Sequence, residues 1–214
     1  MKLCGLTRLE DAELGMELGA WALGVIFAPA SPRRCRPNEA ERIVLAARRR
    51  AHVAGVFVNA TLDEVARLLE RIGFDLVQLH GDEGPAYCAA VARRTGAQVI
   101  KAMGVSDRGD VQALDAFRDV AYHLVDARTP GKRGGTGQMI DTDLLNVRRS
   151  ELPLILAGGL TPDNVAQAAA DAKPFAVDTA SGTEREPGVK DHDRVRAFFA
   201  AVAQLGAADE VHVA

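Results

Sequence analysis

Lys2-Leu3-Cys4-Gly5-Leu6-Thr7 reads as a strand that stops at a glycine and hands over to a helix. Met1 to Cys4 is a short apolar strand start, and Gly5 breaks it. Thr7, with Glu10 three residues on and apolar Leu9, Ala12, Leu14 and Leu18 behind it, has the pattern of a capping box opening an amphipathic helix. Cys4 is thereby placed at the carboxyl end of a strand, facing a helix start. Alternating strand–helix proteins put their chemistry there. Taken alone, Cys4 reads first as a core residue, because free cysteine is among the most buried residue types, and the rest of the chain reverses that reading.

Working outward, the same alternation runs to the end of the chain. Short apolar runs predict strands over Met1–Cys4, Trp21–Phe27, His52–Val58, Leu76–Leu79, Val99–Met103, Ala121–Asp126, Leu154–Ala157 and Phe175–Asp178. Between them, helical spacing predicts helices over Leu9–Leu18, Asn38–Arg50, Thr61–Ile72, Pro85–Thr95, Asp107–Phe117, Asp141–Arg148, Pro162–Ala170 and Asp193–Leu205. The strands are continuously apolar rather than alternating, as parallel strands covered on both faces are. Eight strand–helix units predict an α/β fold, a single (β/α)₈ TIM barrel over residues 1–206, with residues 207–214 as a frayed acidic tail. A doubly wound open sheet is the alternative, but the chain lacks a dinucleotide fingerprint.

Composition narrows the functions. The 214 residues carry a net charge of −3 and no basic face, which argues against nucleic acid as a partner. No apolar stretch is long enough to span a bilayer, and no leader sequence precedes the first strand, so no membrane partner is expected. Three widely spaced cysteines, Cys4, Cys35 and Cys88, suggest reduced thiols in the cytoplasm rather than a disulfide framework. No His, Cys, Asp and Glu cluster has metal-ligand spacing, so no metal is expected.

The chemistry-bearing residues follow the strands, on the rim where barrel active sites gather. Gln78-Leu79-His80-Gly81, Asp126, Gly134-Gly135-Thr136-Gly137, Ala157-Gly158-Gly159-Leu160 and Val177-Asp178-Thr179-Ala180-Ser181-Gly182-Thr183-Glu184 succeed the opening motif in order, and Pro187-Gly188-Val189-Lys190-Asp191 closes the set. Over essentially its whole length the chain resembles the phosphoribosylanthranilate isomerase family of tryptophan biosynthesis. The resemblance implies a cofactor-free (β/α)₈ barrel that is monomeric or homodimeric. It implies an Amadori rearrangement of a small phosphorylated substrate, N-(5-phosphoribosyl)anthranilate.

That reaction needs an acid at the ribose ring oxygen and a base at C2′. By resemblance Asp126 is the acid and Cys4 the base. Asp126 then needs a raised pKa to hold a proton, and Cys4 needs a nearby cation or helix N-terminus to ionise. Gly158, Gly159, Ser181 and Gly182 are expected to bind phosphate through backbone amides. Arg33 matches the arginine that holds the anthranilate carboxylate, a task suited to a guanidinium fork. Asp178 is expected to contact ribose hydroxyls or orient the open-chain intermediate, and Gln78 and His80 to shape the pocket wall. The glycine-rich stretch Thr129–Gln138 is expected to act as a lid. Only Met1 precedes Lys2, fewer residues than the family usually carries, so a short and loosely closed first strand is expected. Two alternatives remain. One is an isomerase of another phosphoribosyl aminoaldose, which would carry aspartate where Cys4 stands. The other is a barrel that only binds a phosphorylated ligand.

Overall fold

A computed structural model describes residues 1–127 and 141–209 of the chain. Eight strands close into a parallel barrel in sequence order. They are β1 (Lys2–Leu3), β2 (Ala22–Ile26), β3 (His52–Phe57), β4 (Leu76–Leu79), β5 (Gln98–Val105), β6 (Tyr122–Ala127), β7 (Leu154–Leu156) and β8 (Ala176–Thr179). The surrounding helices are α1 (Leu9–Glu17), α2 (Pro37–Ala47), α3 (Leu62–Ile72), α4 (Pro85–Thr95), α5 (Arg108–Ala113), α6 (Val165–Ala172) and α7 (His192–Asp209). Residues 207–209 of the expected tail continue α7 instead of fraying, and residues 210–214 and the expected lid Thr129–Gln138 lie outside the described residues.

The strands alternate between two apolar layers. Ala22, Ala54, Leu76, Ile100, Ala102, Leu124, Ile155, Ala157 and Ala176 fill the lumen. Leu3, Leu23, Val25, Val53, Val77 and Val99 face the helices. The strands therefore read as continuously apolar because both faces are buried. The short first strand is sufficient for closure. Lys2 and Leu3 pair with Ala22 and Leu23 on one side and with Asp178 and Thr179 on the other. The Met1 carbonyl accepts from Trp21 N, and Cys4 N donates to the Thr179 carbonyl, so the pairing extends past both ends of the strand.

Three local expectations are corrected, and one element is new. Thr7 and Glu10 form no capping box: the Thr7 hydroxyl donates to the Gly188 carbonyl, and Glu10 pairs with Arg8. Glu39 reaches across from α2 to accept from the Leu9 amide instead. The stretch Asp141–Arg148 forms a 3₁₀ helix over Thr142–Val147; none of its side chains is fully buried, and Leu144, Leu145 and Val147 pack only partly on the core. The helix expected over Asp107–Phe117 ends at Ala113 and tightens into a 3₁₀ turn over Leu114–Ala116. After β8 the chain makes a 3₁₀ turn, Ser181–Thr183, and then a hairpin of β9 (Glu184–Glu186) and β10 (Val189–Lys190) that the sequence did not suggest.

Candidate active site

Strand alternation turns Lys2 and Cys4 to the same side, because residues two apart share a face. That side is the lumen: Lys2 stands in register with Ala22, a lumen residue, and its ammonium donates to Asp178 Oδ1 at 3.0 Å. Its charge also acts on the Cys4 side chain, which shares its face of the strand. Gly24 gives the thiol its space, since a Cβ on it would stand 2.5 Å from Cys4 Sγ. Asp126 lies across the lumen mouth on β6, two residues above the lumen-facing Leu124. Behind it, Gly158 has φ of +89°, and a Cβ there would meet the Ala127 amide nitrogen at 2.1 Å and Asp126 Oδ1 at 2.8 Å. Only glycine lets this turn close on Asp126.

The environment pushes acid and base in stated directions. Burial raises the Asp126 carboxyl to about 6; Asp178 adds to the rise, and Lys2 opposes it. Burial also raises the Cys4 thiol, while Lys2 and Lys190 pull it back and Asp178 pushes it further. The expected cations are therefore present, and they moderate the effect of burial without reversing it. His80 is held well below its usual value, at about 4, by burial and then by the charge of Lys2, so the ring is neutral. Gln78 Nε2 lies 3.3 Å from His80 Nδ1. If the amide donates there, the ring proton sits on Nε2, which is 3.6 Å from Asp126 Oδ2.

Arg33 lies over Gly5, the residue after the thiol: a Cβ on Gly5 would stand 2.9 Å from Arg33 Cδ. Its guanidinium is forked by Glu184, Nε to Oε1 at 2.9 Å and Nη2 to Oε2 at 2.8 Å, whereas Arg34 and Arg36 are exposed. Of the five guanidinium donors, those on Nη1 remain for another partner. Gly182 closes against the Leu160 carbonyl, and Thr179 Oγ1 donates to the same oxygen at 3.1 Å. The turn holding Gly158 and Gly159 and the turn holding Ser181 and Gly182 are thus braced against each other.

Every site residue expected from the sequence therefore falls on one end of the barrel. Cys4, Asp126, Asp178, Gln78 and His80 share the lumen mouth, and Arg33 and the glycine turns flank it. Three participants carried no assigned role in the sequence reading: Lys2, Glu184 and Lys190. Lys190 is buried, donates to the Ala180 carbonyl at 2.7 Å and stands 3.6 Å from Glu184. The available signal for Lys2 was its two-residue offset from Cys4.

A closed parallel barrel with a buried thiol and a carboxyl of raised pKa at its carboxyl-terminal mouth defines a (β/α)₈ barrel of the class that carries its active site on that rim. Residues 1–201 match the family model for N-(5'phosphoribosyl)anthranilate (PRA) isomerase. An N-(5'-phosphoribosyl)anthranilate isomerase of Geobacter sp. (strain M21) is 46% identical over 205 residues, covering 96% of this chain and 98% of its own. The crystal structure of phosphoribosyl anthranilate isomerase from Thermotoga maritima superposes with a TM-score of 0.86 at 38% identity, covering 95% of this chain and 98% of its own. A complex of such an isomerase with reduced 1-(o-carboxyphenylamino)-1-deoxyribulose 5-phosphate superposes at 0.83, with 36% identity and the same coverage. The chain belongs to the N-(5'-phosphoribosyl)anthranilate isomerase family.

Proposed function

We infer that this chain converts N-(5'-phosphoribosyl)anthranilate into 1-(2-carboxyphenylamino)-1-deoxyribulose 5-phosphate, the Amadori step of L-tryptophan biosynthesis. The observation that carries the mechanism is the pairing of Cys4 with a carboxyl whose proton is retained to about pH 6, across one buried lumen. Asp126 gives its proton to the ribose ring oxygen. The C1′–O bond breaks as the anilino nitrogen lone pair forms the iminium. The Cys4 thiolate takes the C2′ proton, and the C–H electrons flow through C1′=C2′ to neutralise the nitrogen. Ketonisation of the resulting enol returns a proton to C1′. One C–O bond breaks, protons are exchanged and the electrons are redistributed within the substrate, so the scheme as written balances without an external oxidant or reductant.

The competent enzyme has Asp126 protonated and Cys4 ionised. Because the carboxyl titrates near 6 and the thiol above its ordinary range, this form is a minor one at every pH. Its population is flat between the two pKa values and falls outside them. A thiolate with a high pKa is a strong base, which offsets its scarcity.

Arg33 offers its free edge to the anthranilate carboxylate, with Glu184 fixing the other edge. The amides of the Gly158–Gly159 and Ser181–Gly182 turns receive the phosphate. Asp178, Gln78 and His80 line the path of the ribose. Three free thiols suit a reducing compartment, which we take to be the cytoplasm. The relative from T. maritima is dimeric, and sedimentation decides between monomer and homodimer here. The function is tested by adding purified protein to freshly made phosphoribosylanthranilate and following anthranilate fluorescence. Loss of signal with wild type and none with Asp126→Asn is expected. Persistent signal with wild type would overturn the activity.

A further inference from the structure

Lys2 is a fully buried lysine inside a barrel whose lumen floor is alanine, leucine and isoleucine. A buried ammonium persists only where partners compensate its lost hydration. Here those partners are functional groups. Asp178 accepts from Nζ at 3.0 Å, and Cys4 shares the lumen face two residues further along the strand, where the ammonium's charge reaches it. Register fixes the geometry: β1 sets Lys2 beside Asp178 of β8, and strand alternation sets Cys4 directly above Lys2 on the same face. Stability alone is a poor reason to keep such a pair, since replacing buried ion pairs by apolar side chains is often neutral or stabilising.

We propose that Lys2 is a positioning residue for the isomerisation: its ammonium, clamped by Asp178, holds the Cys4 sulfur at the lumen mouth and is the fixed positive charge that acid and base share. The proposal rests on Cys4 as the base. Burial works to strip the Lys2 proton, but Asp178 and Cys4 outweigh it, so the lysine stays charged. That charge works on both reacting groups in one direction. It pulls the thiol down against burial, and it pulls Asp126 down against burial and Asp178. The other charged groups acting on the thiol are Asp178 from β8 and Lys190 from β10, while Asp126 of β6 and His80 after β4 face the Lys2–Asp178 pair. Lys2 is the one among them on the thiol's own strand, two residues away on the same face, and it is the strongest of the charges pulling the thiol down.

The test is the pH dependence of Cys4 alkylation by iodoacetamide, read by peptide mass, beside the pH profile of kcat/KM. In Lys2→Met the Cys4 midpoint is expected to rise by about one pH unit or more, and both limbs of the activity profile to move upward with it. Lys2→Arg, which keeps the charge, is expected to restore the positions of both limbs. A folded Lys2→Met with an unmoved thiol midpoint and unmoved limbs overturns the proposal. Should Lys2→Met fail to fold, carbon-13 spectra of the wild-type lysines decide. The Lys2 Cε resonance is expected to step at the Cys4 midpoint and to lose that step in Cys4→Ser; a resonance with no such step overturns the proposal. Cys4→Ser turning over at the wild-type rate would overturn the base assignment itself, an outcome separate from an unmoved thiol in Lys2→Met.

Discussion

Asp126 carries opposing consequences for activity and stability. Its folded pKa, about 6, lies above the 3.8 of an unperturbed aspartate. The folded chain thus binds this proton more tightly than the unfolded chain does. Its contribution is complete below pH 4 and is lost as pH rises through 6. At neutral pH the ionised carboxylate costs the fold about 2–3 kcal/mol. Asp126→Asn is expected to abolish catalysis, lowering kcat by about 10²–10⁴. It is also expected to raise the melting temperature by several degrees at pH 8, with no gain below pH 4. Calorimetry across pH checks this, and an unchanged melting temperature at pH 8 would contradict the burial argument. The wild-type kcat/KM profile is expected to be flat from about pH 6 to the thiol range. Asp126 then governs the acidic limb and Cys4 the basic limb, the reverse of a simple acid–base pair. Cys4 and Asp126 were legible as types of chemistry at strand ends. Their tuning was not, because it comes first from burial in the closed lumen and then from Lys2 and Asp178, which are 176 residues apart in the chain. A lysine on a short strand reads as a solvated side chain until closure of the barrel encloses it.

Among the elements, those bounded by punctuating residues were read most closely. Pro85 opens α4, and Gly96 in the left-handed region closes it; α3 carries a true capping box between Thr61 and Glu64. The hairpin β9–β10 was missed because its strands are two or three residues long and charged, with no apolar alternation. It nevertheless supplies Glu184 and Lys190 to the mouth. Two substitutions test how elements hold the site. Gly24→Ala drives a methyl into the Cys4 sulfur, so kcat is expected to fall about 10–100-fold with the barrel intact by circular dichroism. Wild-type kcat there would contradict the tight packing of β2 on the thiol. On the outer wall, Lys101 of β5 donates to Glu83 at 2.9 Å, and Glu83 also accepts the amides of Asn59 and Gly81. This buried pair ties the loops after β3 and β4 together. Lys101→Met leaves the carboxylate without its cation and is expected to cost about 3–5 kcal/mol in urea denaturation.

At the scale of the molecule, the barrel separates chemistry from closure. The carboxyl end carries the site. At the amino end, Trp21 packs edge-on against Tyr122 at 5.1 Å and Phe175 at 5.2 Å. Trp21 is the single tryptophan of the chain, so its emission reports the floor and not the mouth. Inorganic phosphate or product is expected to leave that emission unchanged, while unfolding shifts it. The architecture was legible because eight apolar runs alternate with helical stretches and each buries both faces. The layers within it became visible only with the strand register, which sorts Ala22 and Leu76 inward and Leu23 and Val77 outward.

The most direct test of the central claim, that the Cys4 thiolate removes the C2′ proton opposite a protonated Asp126, is single turnover of phosphoribosylanthranilate deuterated at C2′. Wild type is expected to show a primary isotope effect. Cys4→Ser is expected to retain substrate binding and to lose turnover by about 10² or more. Turnover of the deuterated substrate by Cys4→Ser at the wild-type rate would contradict the account.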